Sequence, residues 1–518
     1  MADAVNNYTP KYSNPFTEPW RWQGFPELIG KGCRVMVEDN KGHLWFGING
    51  GVLNYDGMNW KYFPISKDSS EIPVVSICIA SDGSLYAGSS KGISILKNGK
   101  FSELKLDVHF GDQLEHPYNK VPIIEASDKS IWIGSHQGAI LIKDNKITLF
   151  RENGIYSDPT KFAELQKQPQ FDVYSIFEDK EGKIWFGLRD GRIYQFTFNK
   201  NIGSGNPVWY RVDKERGYVA TKFPLIKITT SGVVFIVSGQ NDGGINIRNG
   251  QNWSLFKAKQ KFGIDDLYSD VFELQDGSVC VSGVGRLLVY NSGNWKMYES
   301  TNLPFASNRL ILYETSDQNL FIIGLGNEVW RIELSNKRWA TLKGISFQSE
   351  DNTGNKWFIT VDGSIVKSDS KMKRWVKYNK TDGVIDVPVA LIVSNNGMIW
   401  VAGSDNQIAA TACFDGQRWV KQTHPILGWG IDRRAVFEAS DGSLWFGSAS
   451  DISIDKGQRG GLVRYYNIDD PYKINYEYHY ADENFKLTGI YGIGETADGT
   501  IWAGQLGFYK LEKKNKKW

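Results

Sequence analysis

The sequence predicts an all-β protein built from repeated four-stranded sheets, and three observations predict it. A short turn motif recurs along the chain. Runs of about four to six β-forming residues are punctuated by Gly, Asn and Asp every ~8–12 residues. Nineteen Trp in 518 residues fall mostly at two fixed places in the recurring unit. Composition sets other classes aside. The longest apolar stretches, such as 310–313 and 388–393, are far short of the ~20 residues needed to span a bilayer. A net charge of +2 with no basic block argues against sequence-independent nucleic-acid binding. The first residues, Met1-Ala2-Asp3-Ala4-Val5-Asn6-Asn7, show neither the basic nor the apolar region of a secretory signal.

The motif is clearest in Glu38-Asp39-Asn40-Lys41-Gly42-His43-Leu44-Trp45-Phe46-Gly47 and in Glu178-Asp179-Lys180-Glu181-Gly182-Lys183-Ile184-Trp185-Phe186-Gly187. It returns in Asp441-Gly442-Ser443-Leu444-Trp445-Phe446-Gly447 and Asp498-Gly499-Thr500-Ile501-Trp502-Ala503-Gly504. Weaker copies lie at Asp82, Asp128, Gly232, Asp276, Asp317, Asp351 and Asn395, making eleven. Asp39 and Asp498 are 459 residues apart, so the mean period is about 46, within the range of propeller blades.

Each unit reads in order as four strands. An apolar run, as in Val173-Tyr174-Ser175-Ile176-Phe177, is strand A. The Asp/Asn/Gly turn follows, where Asp caps its own backbone and Gly supplies positive φ. Strand B carries Trp, as in Ile184-Trp185-Phe186-Gly187, and a polar loop leads to strand C, as in Gly51-Val52-Leu53-Asn54-Tyr55-Asp56. A second tight turn, such as Asp56-Gly57 or Asn98-Gly99, leads to strand D with Trp60 and Phe63, or Trp253 and Phe256, three apart. Phe235, Val281 and Ile322 stand near the strand-B Trp position in repeats five to seven. Seven Trp sit in strand B and eight open strand D or its place. Sheets of this kind bury their faces only by stacking on neighbours, so these fifteen Trp are expected in the wedges between blades rather than as sugar platforms. The only helical stretch suggested is 159–168.

The pattern D-x-x-G-x-[LI]-W-[FI]-G, a polar-Gly loop and a strand ending near Tyr-Asp-Gly resembles the two-component regulator propeller repeat over about residues 30–518. The resemblance implies the ligand-sensing region of a bacterial sensor, often a hybrid histidine kinase that detects extracytoplasmic oligosaccharides. It implies a periplasmic location, a homodimer in the full-length sensor, and a following β-sandwich, membrane helix and output domain. The chain stops at Lys516-Lys517-Trp518, where a D strand would begin, and is expected to be a fragment of a longer sensor. Because no export signal is legible, a cytoplasmic location stays open.

The architecture expected is an all-β propeller of eleven four-stranded repeats, in two rings, the first seven-bladed and the second partial. The boundaries read as 1–30 for an N-terminal extension, 31–343 for repeats one to seven and 344–518 for repeats eight to eleven. The spacing of 34 from Asp317 to Asp351, the shortest in the chain, places the junction near Lys343-Gly344. Trp22-Gln23-Gly24-Phe25 matches strand D without its own A–C strands and could close a ring. Pairing with residues 507–511 would instead favour one larger arrangement or a five-plus-six split.

No chemistry is written in the motifs. The six His form no His-x-x-x-His pair, and Cys33, Cys78, Cys280 and Cys413 are isolated, so neither a zinc site nor a redox motif is expected. The Asp-Asn turns lack the closing Glu of a calcium loop. No cofactor is expected, no nucleic acid, and no direct membrane insertion by this region. With strand A on the channel wall, the B–C loops and D–A connections share one face, where loops carry ligand residues on a rigid scaffold. That face gives as candidates Arg34, Asn49, His136, Asp172, Arg189, Gln240, Tyr268, Arg309, Asp405, Arg433, Tyr491 and Gln505, with Asp190, Asn241, Asp242, Asp270, Asn406 and Arg434 beside them. Amides, Arg, Asp and Tyr suit a hydroxyl-rich or anionic ligand. Long connections at 108–118 and 154–170, and the insertion 449–459, could cover the face. The expected function is a non-catalytic sensor region that binds a glycan or other small solute and signals to a kinase-type output domain. The alternatives are a cell-envelope scaffold, or a propeller polysaccharide lyase or hydrolase using His136, Arg189 or Tyr268, for which no converging acid and base are placed by the repeat.

Overall fold

The computed structural model describes residues 6–66, 72–106, 108, 110, 121–167, 170–198, 207–240, 243–299, 303–304, 309–324, 328–336, 340–483, 485–505, 507–512 and 517–518. It is an all-β, multi-blade propeller whose helices are short: 3-10 turns, the longest Pro159–Lys167, and one α-helical turn, Ala258–Phe262. The chain divides into two compact units, Asn14–Trp339 and Met1–Ser13 together with Ala340–Trp518.

In the first unit, blade 1 consists of Val35–Glu38, Leu44–Ile48, Gly51–Tyr55 and Trp60–Pro64, paired antiparallel in chain order. The turn between its first two strands follows from its residues. Asp39 Oδ1 accepts the N–H groups of Lys41 and His43, both at 2.9 Å, and Gly42 takes φ +80°. Blades 2 to 6 repeat the plan from strands A at Ser76–Ile79, Ile123–Glu125, Val173–Glu178, Pro224–Ile228 and Tyr268–Glu273. Blade 3 carries an extra edge strand, Gly154–Tyr156.

Blade 7 has only three strands in sequence order, beginning at Leu310–Glu314, and its fourth is Trp22–Gly24, paired with Glu328–Glu333. This fits the short spacing after Asp317: among the described residues the chain there has no D strand of its own. The strand is pinned by Arg21, which is buried and donates to Glu18 (2.6 Å), to the carbonyls of Glu333 and Ser335, and to Asn336. The pairing with residues 507–511 considered from the sequence does not occur.

In the second unit the sheets start at Ile345–Glu350, Val387–Val393, Ile431–Glu438 and Gly492–Glu495, the last with three strands. Numbered on from the first unit, these are blades 8 to 11. Lys11–Tyr12 pairs with Leu342–Lys343, and Tyr8 packs on Trp375.

Packing follows the expected register with corrections. Trp132, Trp185, Trp357, Trp400 and Trp445 on strand B are each 1% exposed. Trp132, for example, meets Phe186 and Phe196 of the next blade at ring separations of 5.5 and 5.3 Å. Trp45 and Trp502 are only half-buried. Trp339 lies outside the described residues. Phe235 pairs with Lys227 as Trp185 pairs with Phe177 and so holds the strand-B Trp position, but in blades 6 and 7 Cys280 and Phe321 hold it, not Val281 and Ile322. Cys280 is fully buried, and burial pushes its thiol far above the ordinary range.

A second device joins blades. In seven blades strand A ends on a Glu whose carboxylate accepts the backbone N–H of the A–B turn in the blade before it. Glu125 clips Ser81, Glu178 clips Ser127, Glu273 clips Thr230, Glu314 clips Gln275, and Glu38 of blade 1 clips Ser316 of blade 7, at N···O distances of 2.6–2.9 Å. Glu438 and Glu495 clip Asn395 and Ser440 in the same way. A hydrogen bond to an ionised acceptor is stronger than a neutral one, so these clips reinforce the apolar wedge beneath them.

Candidate functional site

Three of the sequence candidates converge. His136 lies in the B–C loop of blade 3. Asp172 precedes strand A of blade 4, and Arg189 directly follows its strand B, Ile184–Leu188. The backbone fixes all three loops: Val173 N–H donates to Ser135 O (3.0 Å), Arg189 N–H to Asp172 O (2.9 Å) and Phe223 N–H to Arg189 O (3.1 Å). Ser135 Oγ donates to Gly138 O at 2.9 Å and so shapes the turn that carries His136.

One carboxylate oxygen, Asp172 Oδ2, takes Arg189 Nε at 2.6 Å and lies 2.8 Å from His136 Nδ1. The Asp172 side chain is 10% exposed, those of His136 and Arg189 26% and 30%. The buried acid therefore anchors two nitrogen-rich groups that still reach solvent. The Arg189 guanidinium lies 5.7 Å from the Phe223 ring centre, and Phe223 meets Tyr174 edge-on at 5.5 Å. Phe223 takes φ +53°, a conformation costly for an aromatic residue, at the Lys222-Phe223-Pro224 corner. Next to this group Asp190 pairs with Arg192 at 2.8 Å, and Arg192 reaches Tyr194, which also donates to Glu152. Burial, with the Glu152 hydrogen bond, raises the Tyr194 hydroxyl to about 12. The ensemble offers guanidinium and imidazole donors beside aromatic edges, which suits carboxylates, phosphates or ring hydroxyls.

The other candidates do not join it. Tyr268 is a correction: it is 2% exposed, packed in the core, and donates to buried Asp266 at 2.7 Å. Burial and that acid push its hydroxyl upward, so it presents no acid or base to solvent. Gln240 is exposed, its N–H held by Ser238 Oγ at 3.1 Å, while Asn241 and Asp242 lie outside the described residues. Asp270 is half-buried and accepts Leu312 N–H at 2.9 Å, which ties blade 6 to blade 7. Arg34 and Arg309 are half-buried at the starts of strands A in blades 1 and 7. Asn49 is half-buried with its side-chain oxygen against Gly32.

In the second unit Asp405 is another correction to a free loop acid: it is buried and held by Lys421 at 3.1 Å and by Asp386 N–H. Asn406 is exposed, and its N–H donates to Asp386. Arg433 is exposed on strand A of blade 10. Tyr491 is half-buried under Arg434, whose guanidinium sits 4.1 Å from the ring centre and pairs with Asp432. Gln505 is half-buried, its N–H on Gly507 O. Of the long connections, 111–118 lies outside the described residues, as do 168–169.

Sequence reasoning missed Phe223 and Tyr174, the aromatic side of the cluster. The signal available was only the Phe-Pro dipeptide, which does not reveal a positive φ. Among the described residues no group of His, Cys, Asp and Glu could hold a metal ion. No described helix is long and apolar enough to cross a membrane.

Residues 169–190 match the two component regulator propeller family, a segment that contains Asp172, Arg189 and Asp190. No curated protein matches the chain. Among solved structures, the extracellular domain of the hybrid two component system BT4673 from B. thetaiotaomicron is similar at 13% identity and TM-score 0.42, over 99% of this chain and 72% of that one. Virginiamycin B lyase from Staphylococcus aureus is similar at 12% identity and TM-score 0.43, over 61% of this chain and 99% of that one. PorZ, a surface component of the type-IX secretion system of Porphyromonas gingivalis, is similar at 15% identity and TM-score 0.26, over 96% and 81%. Likenesses this distant carry no inference about chemistry.

Proposed function

We propose that this chain is the ligand-sensing propeller region of a bacterial signal-transduction protein. It binds an anionic or hydroxyl-rich solute, a glycan among them, on the face that bears His136, Asp172 and Arg189. The region is non-catalytic, lies outside the cytoplasm, and passes its state to a kinase-type output domain through a homodimer. The observation that carries the reading is the arrangement of Arg189 and His136 on the buried carboxylate of Asp172, which with Arg189 lies inside the segment that matches a two-component regulator repeat. An acid so placed holds two donors in fixed positions, which lowers the ordering cost of binding.

The test is calorimetric titration with neutral and uronate-containing oligosaccharides, alongside an assay for released products. The expected result is saturable binding without turnover. Arg189→Met should weaken that binding about tenfold or more while the melting temperature stays unchanged. Binding indifferent to both Arg189→Met and His136→Ala would remove the site, and product formation would remove the sensor reading.

A further inference from the structure

The clips between blades pass over three turns, those of Asn40, Lys180 and Asn352, and the first of them borders a cleft. Glu38, Glu125, Glu178, Glu273 and Glu314 each stand opposite the residue just before the strand-B Trp position in their own sheet. In blade 2 that place is Ile79, paired with Leu85. Its would-be partner is the turn of blade 1, where Asn40 occupies the position of Ser81 and Ser127. Among the described residues the Asn40 N–H has no hydrogen-bond partner, while Ser81 and Ser127 N–H are held at 2.9 and 2.7 Å.

Blade 5 also lacks the Glu, having Ile228 there. That junction is filled from within: the Lys180 ammonium of blade 4 donates to Thr230 O, and half-buried Lys227 lies between Phe177 and Phe272. Among the described residues nothing comparable enters the blade 1–2 junction. A cleft of about 520 Å³ remains, walled by Trp45, Phe63, Ile79 and Leu96, with Lys41 and Lys61 at its edge. Trp45 is half-buried there, whereas its counterparts Trp132 and Trp185 are 1% exposed.

We infer that this cleft binds a small carboxylate, with the acid on the Asn40 N–H and the body of the ligand against Trp45 and Phe63. The molecule itself supplies the template, since the corresponding N–H in five other turns of this unit donates to a carboxylate oxygen. Acidic neighbours do not forbid it. The oxygens of Asp39 are engaged by Lys41 N–H, His43 N–H and Trp45 Nε1, those of Glu38 and Glu125 by Ser316 and Ser81, and the ammonium groups of Lys41 and Lys61 line the same cleft to offset their charge. The site belongs to the face of A–B and C–D turns, opposite His136 and Arg189, and is independent of that cluster.

The experiment uses the full chain and two matched pairs of probes: D-glucuronate with D-glucose, and phenylacetate with phenylacetamide. Binding is read by tryptophan fluorescence and calorimetry in the wild type, in Ile79→Glu and in Arg189→Met. The expected result is saturable binding of at least one acid, with its neutral partner binding at least about tenfold more weakly. That binding persists in Arg189→Met and is lost in Ile79→Glu, whose new side chain fills the socket. Hydrogen exchange of the turn at Asn40 should slow about tenfold in Ile79→Glu. The inference is overturned if neither acid binds the wild type, if binding survives Ile79→Glu, or if exchange at Asn40 is unchanged in that variant.

Discussion

The junctions between blades 3 and 4 and between blades 1 and 2 are made from the same strands and are sealed differently. At the first, Glu178 holds the Ser127 turn, and Trp132 lies sealed among Phe150, Phe186 and Phe196. At the second, Ile79 replaces the acid, the Asn40 turn folds on Asp39 alone, and Trp45 is left half-buried beside a cleft. The two turns differ in sequence in a consistent way. Where Asp opens the turn it binds the strand-B indole, as Asp39, Asp179 and Asp351 do for Trp45, Trp185 and Trp357 at 2.7–3.0 Å, and the next blade ends strand A on Ile or Val. Where another residue opens it, such as Ala80, Ala126, Thr229 or Leu274, the next blade supplies Glu. An acid is thus present in either kind of turn, donated from inside the blade or from its neighbour. Only the second kind fastens one blade to the next.

The largest expected effect tests the wedge itself. Trp132→Ala should cost about 3–5 kcal/mol in urea unfolding, the range for removing a fully enclosed aromatic. Trp45→Ala should cost roughly half as much, because part of that ring already meets water. Equal losses would mean the two junctions are packed alike.

The junction between blades 9 and 10 sharpens the comparison, since it is sealed by a polar network. His424 is fully buried, its ring bonded to Tyr465 and, at 2.9 Å, to Tyr478, and Tyr465 is 2.7 Å from Thr411. Burial lowers the imidazole from 6.5 to about 4. The unfolded chain therefore binds a proton that the folded one refuses between these values. The stability of this unit is full above pH 6.5 and falls as pH drops toward 4, by about 1.4 kcal/mol per pH unit. His424→Gln should flatten that slope in melts followed from pH 7 to 4, and an unchanged slope would assign it to other groups.

The smallest effect isolates the clip. Glu178→Ala should cost about 1 kcal/mol, since the bonds it removes are solvent-exposed. Its mark is local: amide exchange at Ser127 should rise toward the rate at Asn40, which lacks a partner in the native protein. If Ser127 stays protected in the variant, the carboxylate is not what holds the turn.

Much of this was legible in the chain. The Asp-x-x-Gly turns, the strand-B Trp and the strand-D Trp reported four strands per unit, because each residue's role there depends on neighbours a few positions away. The face bearing His136, Asp172 and Arg189 followed from the same register. That these three meet while Tyr268 and Asp405 turn inward could not be read, because it depends on backbone bonds between blades and on two partners, buried Asp266 and half-buried Lys421. The strand-B places of Cys280 and Phe321 were missed because apolar runs look alike when shifted by one residue, and only pairing fixes the register.

Sequence by itself determined the repeat, its strands and the chemistry each turn can offer, since these rest on local propensity and period. Tertiary structure decided which strand completes blade 7, which turns are clipped and which cleft stays open. Those outcomes are set by groups such as Trp22 and Ile332, or Glu38 and Ser316, that lie some three hundred residues apart and meet only when the sheets come round to face each other.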